Sequence, residues 1–402
     1  MTEFDDFLEI VNIASEKFEE LHGALDHTAI TIAPANLMLL GDHTHYNDGI
    51  LLSTRVNKYW VCVLRKRKDK TISFASGGSG KFVSSCIDNN EIDNNNEFRL
   101  LFNLTKLLCK NEIIDSGFDC VIEGNIPDCF GLGKISSLQV AFINGIKKIF
   151  SIDKSEEDLL KFIHENEIPF VGKISNVGHH YGIQFGKENK ILSFDLRGKK
   201  IQHLNFFPKN YEIIVCDTDS VIENSNTRCN ERVVECEVGV KSLRLYIWGI
   251  KNLRDINSDF LLRHYHMVPK KIFNRVLYNV TERKRAQDAI NYISSNAWED
   301  FGTLIKASHW ALSQDYEVAD SKVDFLVESA SIYKGVIASK MISCSTISAT
   351  FNIVQTEKAD DFCNSISNLY KEKFNADLKT YRLKTTGGVK KFSSKKILIN
   401  PN

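Results

Sequence analysis

The chain has 402 residues, 43% apolar and 25% charged, with 51 basic side chains against 51 acidic ones. That length exceeds one compact core and suits two closely packed α/β domains. The even charge removes any electrostatic case for nucleic acid or an acidic membrane surface as a partner.

Residues 4–22 place Phe4, Phe7, Leu8, Val11, Ile13, Ala14, Phe18 and Leu21 at helical spacing, with acids on the opposite face. The first ten residues, M-T-E-F-D-D-F-L-E-I, are acidic where a signal peptide would be basic. Strands I-T-I-A and Y-W-V-C-V-L-R follow, with a loop rich in histidine and glycine between them. Residues 88–97, D-N-N-E-I-D-N-N-N-E, read as a polar surface insertion. An apolar helix over 99–108 precedes the strand F-D-C-V-I-E-G, a Pro/Gly turn and a helix from 136 to 150. I-L-S-F-D-L-R and Y-E-I-I-V-C-D-T are strands, and 230–338 reads as mostly helical. The strand A-T-F-N-I-V, a helix over 359–374 and a lysine-rich tail complete the pattern. Interleaved strands and helices predict an α/β fold.

The ten cysteines contain no C-x-x-C pair, so neither a zinc ribbon nor a thioredoxin motif is present. Cys62 in V-C-V and Cys216 in I-V-C-D sit in apolar runs and read as reduced core thiols. No apolar run approaches the roughly 20 residues of a membrane helix. A soluble, cytoplasmic monomer is expected, with no nucleic-acid or membrane partner.

The loop between the first strands belongs to residues 33–49, A-P-A-N-L-M-L-L-G-D-H-T-H-Y-N-D-G. Later come P-D-C-F-G-L-G-K-I-S-S, E-I-P-F-V-G, C-N-E-R-V-V-E-C-E and S-H-W-A-L-S-Q-D-Y-E-V-A-D-S-K-V-D-F-L-V. In this order the segments resemble those of galactokinases, members of the GHMP kinase superfamily, over nearly the whole chain. The resemblance implies a two-domain GHMP-kinase fold of α/β (α+β) class, with the ligand site in the cleft between domains. Residues 1–198 would carry the sugar signature and phosphate loop, and 199–402 the C-terminal domain.

The resemblance also assigns positions. Asn36 stands where the family has its catalytic arginine, and His179, in S-N-V-G-H-H, where it has its catalytic aspartate. Asp42, His43, His45, Asn176 and Cys229 fall on sugar-contacting positions. Gly131, Leu132, Lys134 and Ser136 fall in the nucleotide loop, and Glu167 on the metal-binding glutamate. Cys129 and Phe130 replace a glycine and a small residue, Asp128 adds negative charge, and Gly133, Lys134 and Ile135 replace three serines. The hydroxyl expected to hold Mg²⁺ is therefore missing. Ser136 or Ser137 is expected to cap the helix that follows. A glycine-rich third motif is replaced by I-S-C-S-T-I-S, and K-T-T-G-G-V reads as a turn.

These departures predict a galactokinase-like protein that has lost phosphoryl transfer and binds a sugar-like ligand or a protein partner. The alternative is an active sugar kinase with His179 as base, Lys134 on phosphate and Glu167 on Mg²⁺, using ATP and Mg²⁺. Family geometry would also gather Asp42, His43, His45, His179 and Cys229, all metal-ligand types, around one pocket. Histidines filling the space of lost acids is the simpler account of that cluster.

Overall fold

The computed structural model describes residues 5–87, 98–127, 130–172, 174–343 and 347–393. The polar insertion 88–97, with Asp128 and Cys129 of the phosphate loop, lies outside them. In chain order the first half holds α1 (Asp5–His22), β1 (Ala29–Leu40), β2 (Ile50–Lys66), β3 (Thr71–Ser76), β4 (Phe82–Cys86), α2 (Arg99–Lys110) and β5 (Phe118–Gly124). Helices α3 (Lys134–Ile149), α4 (Glu156–Val171) and α5 (Val177–Phe185) follow, then the hairpin β6 (Lys190–Asp195) and β7 (Lys200–Asn205). The second half begins with β8 (Tyr211–Val221) and runs through α6 (Ser225–Leu243), α7 (Ser258–Arg263), α8 (Lys270–Ser294), α9 (Trp298–Gln314) and α10 (Ser321–Ile332). It finishes with β9 (Val336–Met341), β10 (Ile347–Gln355), α11 (Ala359–Phe374), β11 (Lys379–Leu383) and β12 (Lys390–Ser393).

Two sheets organise these elements. The larger runs β12-β1-β2-β5-β3-β4, with β6 and β7 branching from β2; the smaller runs β11-β8-β10-β9. The fold is α/β, as the interleaved pattern predicts. Strand β1 runs on past I-T-I-A to Leu40 through Pro34, where a register shift breaks its pairing with β2. Proline lacks an N–H to donate, so a bulge is where a paired strand accommodates it. The stretch expected to be helical to 338 turns into β9 at Val336. The expected tail contributes β12, which pairs with β1 and so crosses back over the expected boundary at 198/199.

Helix α1 buries Phe7, Val11, Ala14 and Phe18 against Ile30, Tyr59, Val61 and Val63 on one face of the large sheet. The opposite face holds Phe74, ringed by Phe98, Phe102, Phe118 and Phe142 with centroids 4.8–5.8 Å away. Between the two sheets Leu37, Leu39, Leu52 and Val56 share a core with Val215, Phe351, Ile353 and Phe301. Strand β1 thus delivers the loop that follows it to the junction of the two halves. Cys62 and Cys216 are fully buried, burial pushes the Cys216 thiol up to about 12, and none of the eight described cysteines is in a disulfide.

Phe74 is fully buried at the centre of an aromatic cluster. Phe74→Ala is expected to cost about 3–5 kcal/mol in urea unfolding, whereas Leu245→Ala, at a side chain 80% exposed, should stay within about 0.5 kcal/mol.

Candidate functional site

The turn from β1 to β2 closes on itself. Gly41 has φ +94°, and a Cβ there would collide with the Ile50 carbonyl; one at Gly49 would collide with the Thr44 hydroxyl. That hydroxyl donates to the Gly41 carbonyl at 2.7 Å, and the Gly41 N–H donates to Glu282 Oε1 at 2.9 Å. Glu282, fully buried on α8, also accepts from Ser308 at 2.8 Å and Arg285 at 2.6 Å. Burial pushes its carboxyl up, but Arg285 and Lys340 outweigh that and hold it below its ordinary value. A charged anchor in α8 therefore fixes the loop from the second half of the chain.

Within this loop Asp42 is buried and paired with the ammonium of Lys340, itself fully buried on β9. Lys340 Nζ also donates to the Leu39 carbonyl at 3.2 Å, and Tyr278 donates to the Asp42 carbonyl at 2.8 Å. The carboxylate implied as a sugar ligand is thus already neutralised by the protein. His43, at φ +57°, sits 3.1 Å by Nδ1 from the Tyr46 hydroxyl, which is 2.5 Å from that of Tyr316. His45 is shielded from solvent, and burial, with His43, His164 and His179 nearby, lowers its pKa well below the usual imidazole value.

Asn36 and His179 meet, with Asn36 Nδ2 3.1 Å from His179 Nδ1. Burial lowers the His179 pKa to about 4, only partly opposed by Asp42 and Asn36, so the ring is neutral at pH 7. The buried Asn36 Oδ1 has no hydrogen-bond partner in this arrangement. Gly133, at φ +66°, lies against the same ring; a Cβ there would stand 2.8 Å from His179 Nδ1. Asn176 caps α5, its side chain accepting from the Gly178 N–H at 2.9 Å, so its oxygen is engaged locally.

The nucleotide-loop positions differ from expectation in two ways. Helix α3 starts at Lys134 with Gly133 as its cap residue, and neither Ser136 nor Ser137 caps it. The left-handed glycine starts the helix early, leaving Ser136 buried and the Ser137 hydroxyl donating to the Ala33 carbonyl at 3.0 Å. The Lys134 ammonium lies 5.8 Å over the Trp60 ring, a cation–π position. Gly131 and Leu132 are buried. The Ile342 side chain and the Ser343 carbonyl occupy the space a Cβ on Gly131 would need, so the start of the segment replacing the third glycine motif packs onto the loop; residues 344–346 of that segment lie outside the described residues.

Glu167 is buried on α4, and burial raises its pKa to about 7 despite a hydrogen bond from Ser175. Its Oε2 is 3.3 Å from His180 Nε2, and His164 completes a group whose ligand atoms lie within 4.8 Å of one another. Mg²⁺ takes oxygen ligands, but this carboxylate faces two imidazoles and the serine positions of the loop hold Gly133, Lys134 and Ile135. These residues do not fit a Mg²⁺ held by the chain. Among the described residues, Asp42, His43, His45, His179 and Cys229 do not come together as a metal-ligand group, the less simple of the two readings of that cluster. Lys340 engages Asp42, while Cys229 packs in an apolar cluster with Ile174, Val233 and Tyr46. Sequence reading missed His164, His180, Lys340 and Glu282. His164 and Glu167 at i,i+3 on one helix face was the available signal; nothing in S-K-M marks Lys340.

The chain matches two family models, the galactokinase galactose-binding signature over residues 16–66 and the GHMP kinases N-terminal domain over 99–181. It is 28% identical to a galactokinase of Fusobacterium nucleatum across 87% of this chain and 91% of the relative. A Streptococcus thermophilus galactokinase is also 28% identical, across 93% and 97%. Lactococcus lactis galactokinase complexed with galactose superimposes with a TM-score of 0.89 at 22% identity, covering 95% of this chain and all of that one. Methanococcus jannaschii mevalonate kinase gives 0.61 at 16% identity, covering 89% and 98%. Among the described residues no helix is long and apolar enough to cross a membrane.

Lys340→Met would strand the buried Asp42 carboxylate, and a loss of about 3–5 kcal/mol in urea unfolding is expected. The double variant with Asp42→Asn should recover most of it. His179 takes a proton near its ordinary pKa of 6.5 when unfolded but only near 4 when folded. Stability is therefore lost as pH falls from 6.5 through 4. His179→Gln should lose less over that window, as read by urea melts at pH 7, 5.5 and 4.5.

Proposed function

Because the chain belongs to the galactokinase family of the GHMP kinase superfamily, we propose that it is a sugar kinase of that type, transferring a phosphoryl group from MgATP to a hexose hydroxyl at a reduced rate. The observation that carries this reading is the contact of His179 with both Asn36 and the start of α3 beside the loop 41–49. Asn36 offers the ring either an amide donor or a carbonyl acceptor. Presenting Oδ1 to Nδ1–H gives that buried oxygen its partner and leaves a lone pair on His179 Nε2. A neutral imidazole with a free lone pair can accept the proton of a sugar hydroxyl. The N-terminus of α3 supplies partial positive charge for a phosphate, and Mg²⁺ arrives with the nucleotide as part of the substrate.

The reduced rate follows from what opposes charge on the transferred group. The family arginine position is Asn36, a neutral side chain. Removing one such stabilising contact costs on the order of 10²–10³ in rate in other enzymes. Galactose is the first sugar to test, since it is bound in the Lactococcus lactis relative. Its fit is altered here because Lys340 already holds Asp42.

Binding without turnover is the second reading. It is favoured by Ile342, which packs onto Gly131 where the family's nucleotide loop would take phosphate.

The test is hexose-dependent ADP release by the purified protein, with MgATP and a panel of monosaccharides that includes galactose. The expected result is slow turnover that His179→Ala lowers at least about 10-fold. Calorimetric binding of a sugar with no ADP release would favour the second reading. Failure of millimolar MgATP to bind would defeat the first.

A further inference from the structure

The histidine and glutamate group between α4 and α5 is not absorbed by the sugar-kinase reading. His164 and Glu167 lie three residues apart on one face of α4, and His180 faces them from α5. Their rings and carboxylate converge: the two imidazole centroids are 5.7 Å apart, and Glu167 Oε2 is 3.3 Å from His180 Nε2. Glu167 is 4% exposed and His180 is 0% exposed. Glu167 Oε2 is buried without a hydrogen-bond partner. A buried carboxylate oxygen left unpaired is costly, and cores retain one where something neutralises it.

We propose that His164, Glu167 and His180 form a binding site for a divalent transition metal of the zinc class. Two imidazole nitrogens and one carboxylate oxygen suit Zn²⁺ or Co²⁺ and disfavour Mg²⁺, which prefers oxygen alone. In a tetrahedral zinc site with bonds near 2.0–2.1 Å, ligand atoms stand roughly 3.4 Å apart. The Glu167–His180 pair is already at 3.3 Å. Within the 4.8 Å limit of the group, the remaining separations need at most roughly 1.4 Å of contraction, within reach of side-chain rotation.

The surroundings support the same assignment. With His164 ligating through Nε2, its Nδ1–H donates to Ser175 Oγ, 3.1 Å away, the outer hydrogen bond that fixes a metal-binding imidazole. Gln139 Oε1 lies 2.9 Å from His180 Nε2, placed to serve as a fourth, oxygen ligand from α3. The metal would then tie α3, α4 and α5 together beside His179.

The experiment uses the full chain, stripped with chelator and free of sugar and nucleotide, titrated with Co²⁺ and then Zn²⁺. Expected are one equivalent of Co²⁺ with visible d–d absorption, a rise in melting temperature, displacement by Zn²⁺ and none by millimolar Mg²⁺. His164→Gln, at the most accessible ligand, should weaken Co²⁺ binding at least about 10-fold. His180→Gln should do the same if it folds. Absence of a one-equivalent d–d signal from the unaltered protein would overturn the site, and so would equal Co²⁺ uptake by His164→Gln. Because neither sugar nor nucleotide is present, failure here is distinct from absence of hexose-dependent ADP release.

Discussion

A buried ammonium needs a counter-charge, and Lys340 finds its own in Asp42 across the junction of the two halves. The pair joins β9 of the small sheet to the turn that follows β1 of the large one. Its second bond, to the Leu39 carbonyl, holds the last paired residues of β1. Glu282 holds the same turn from α8 through the Gly41 N–H. The loop 41–49 is thus shaped by two ionic anchors from the second half and by two glycines that allow it to close. His43 and His45 lie within that anchored loop, and Asn36 on β1 meets His179 of α5.

The exchange at the centre of the site preserves charge balance. Where the family resemblance places an arginine and an aspartate, this chain has Asn36 and His179, and burial keeps the imidazole neutral. A neutral hydrogen-bonded pair thus replaces a charged one, and no uncompensated ion is left in a low-dielectric space. Replacing either position alone would have left a lone charge. The same logic extends to His45 and His180, whose shielded rings are also held neutral by burial.

Local chemistry was legible in the sequence and distant partnership was not. The segment 33–49 stood out because its residue order resembles the galactokinase signature, and the α/β alternation followed from the spacing of apolar side chains. The start of α3 was placed late because serine is a common cap, whereas Gly133 in left-handed geometry took that role against the His179 ring. Lys340 lies in a strand segment with nothing local to mark it; its partner is 298 residues away in sequence. His164, Glu167 and His180 come from two helices whose approach depends on packing. Only the His-x-x-Glu spacing on α4 hinted at their meeting.

The pairing of β12 with β1 bears on how the chain is made. Residues 29–32 take residues 390–393 as their neighbours on one side, and β2 on the other. As the chain leaves the ribosome, α1 and the strands through β7 can associate early, but that flank of β1 stays open until β12, the last described strand, has been synthesised. An open strand edge is a template for pairing with another chain. That flank of β1 is therefore most exposed to misassembly during synthesis, and β12, a four-residue strand carrying two lysines, covers it and becomes the short, charged edge of the sheet.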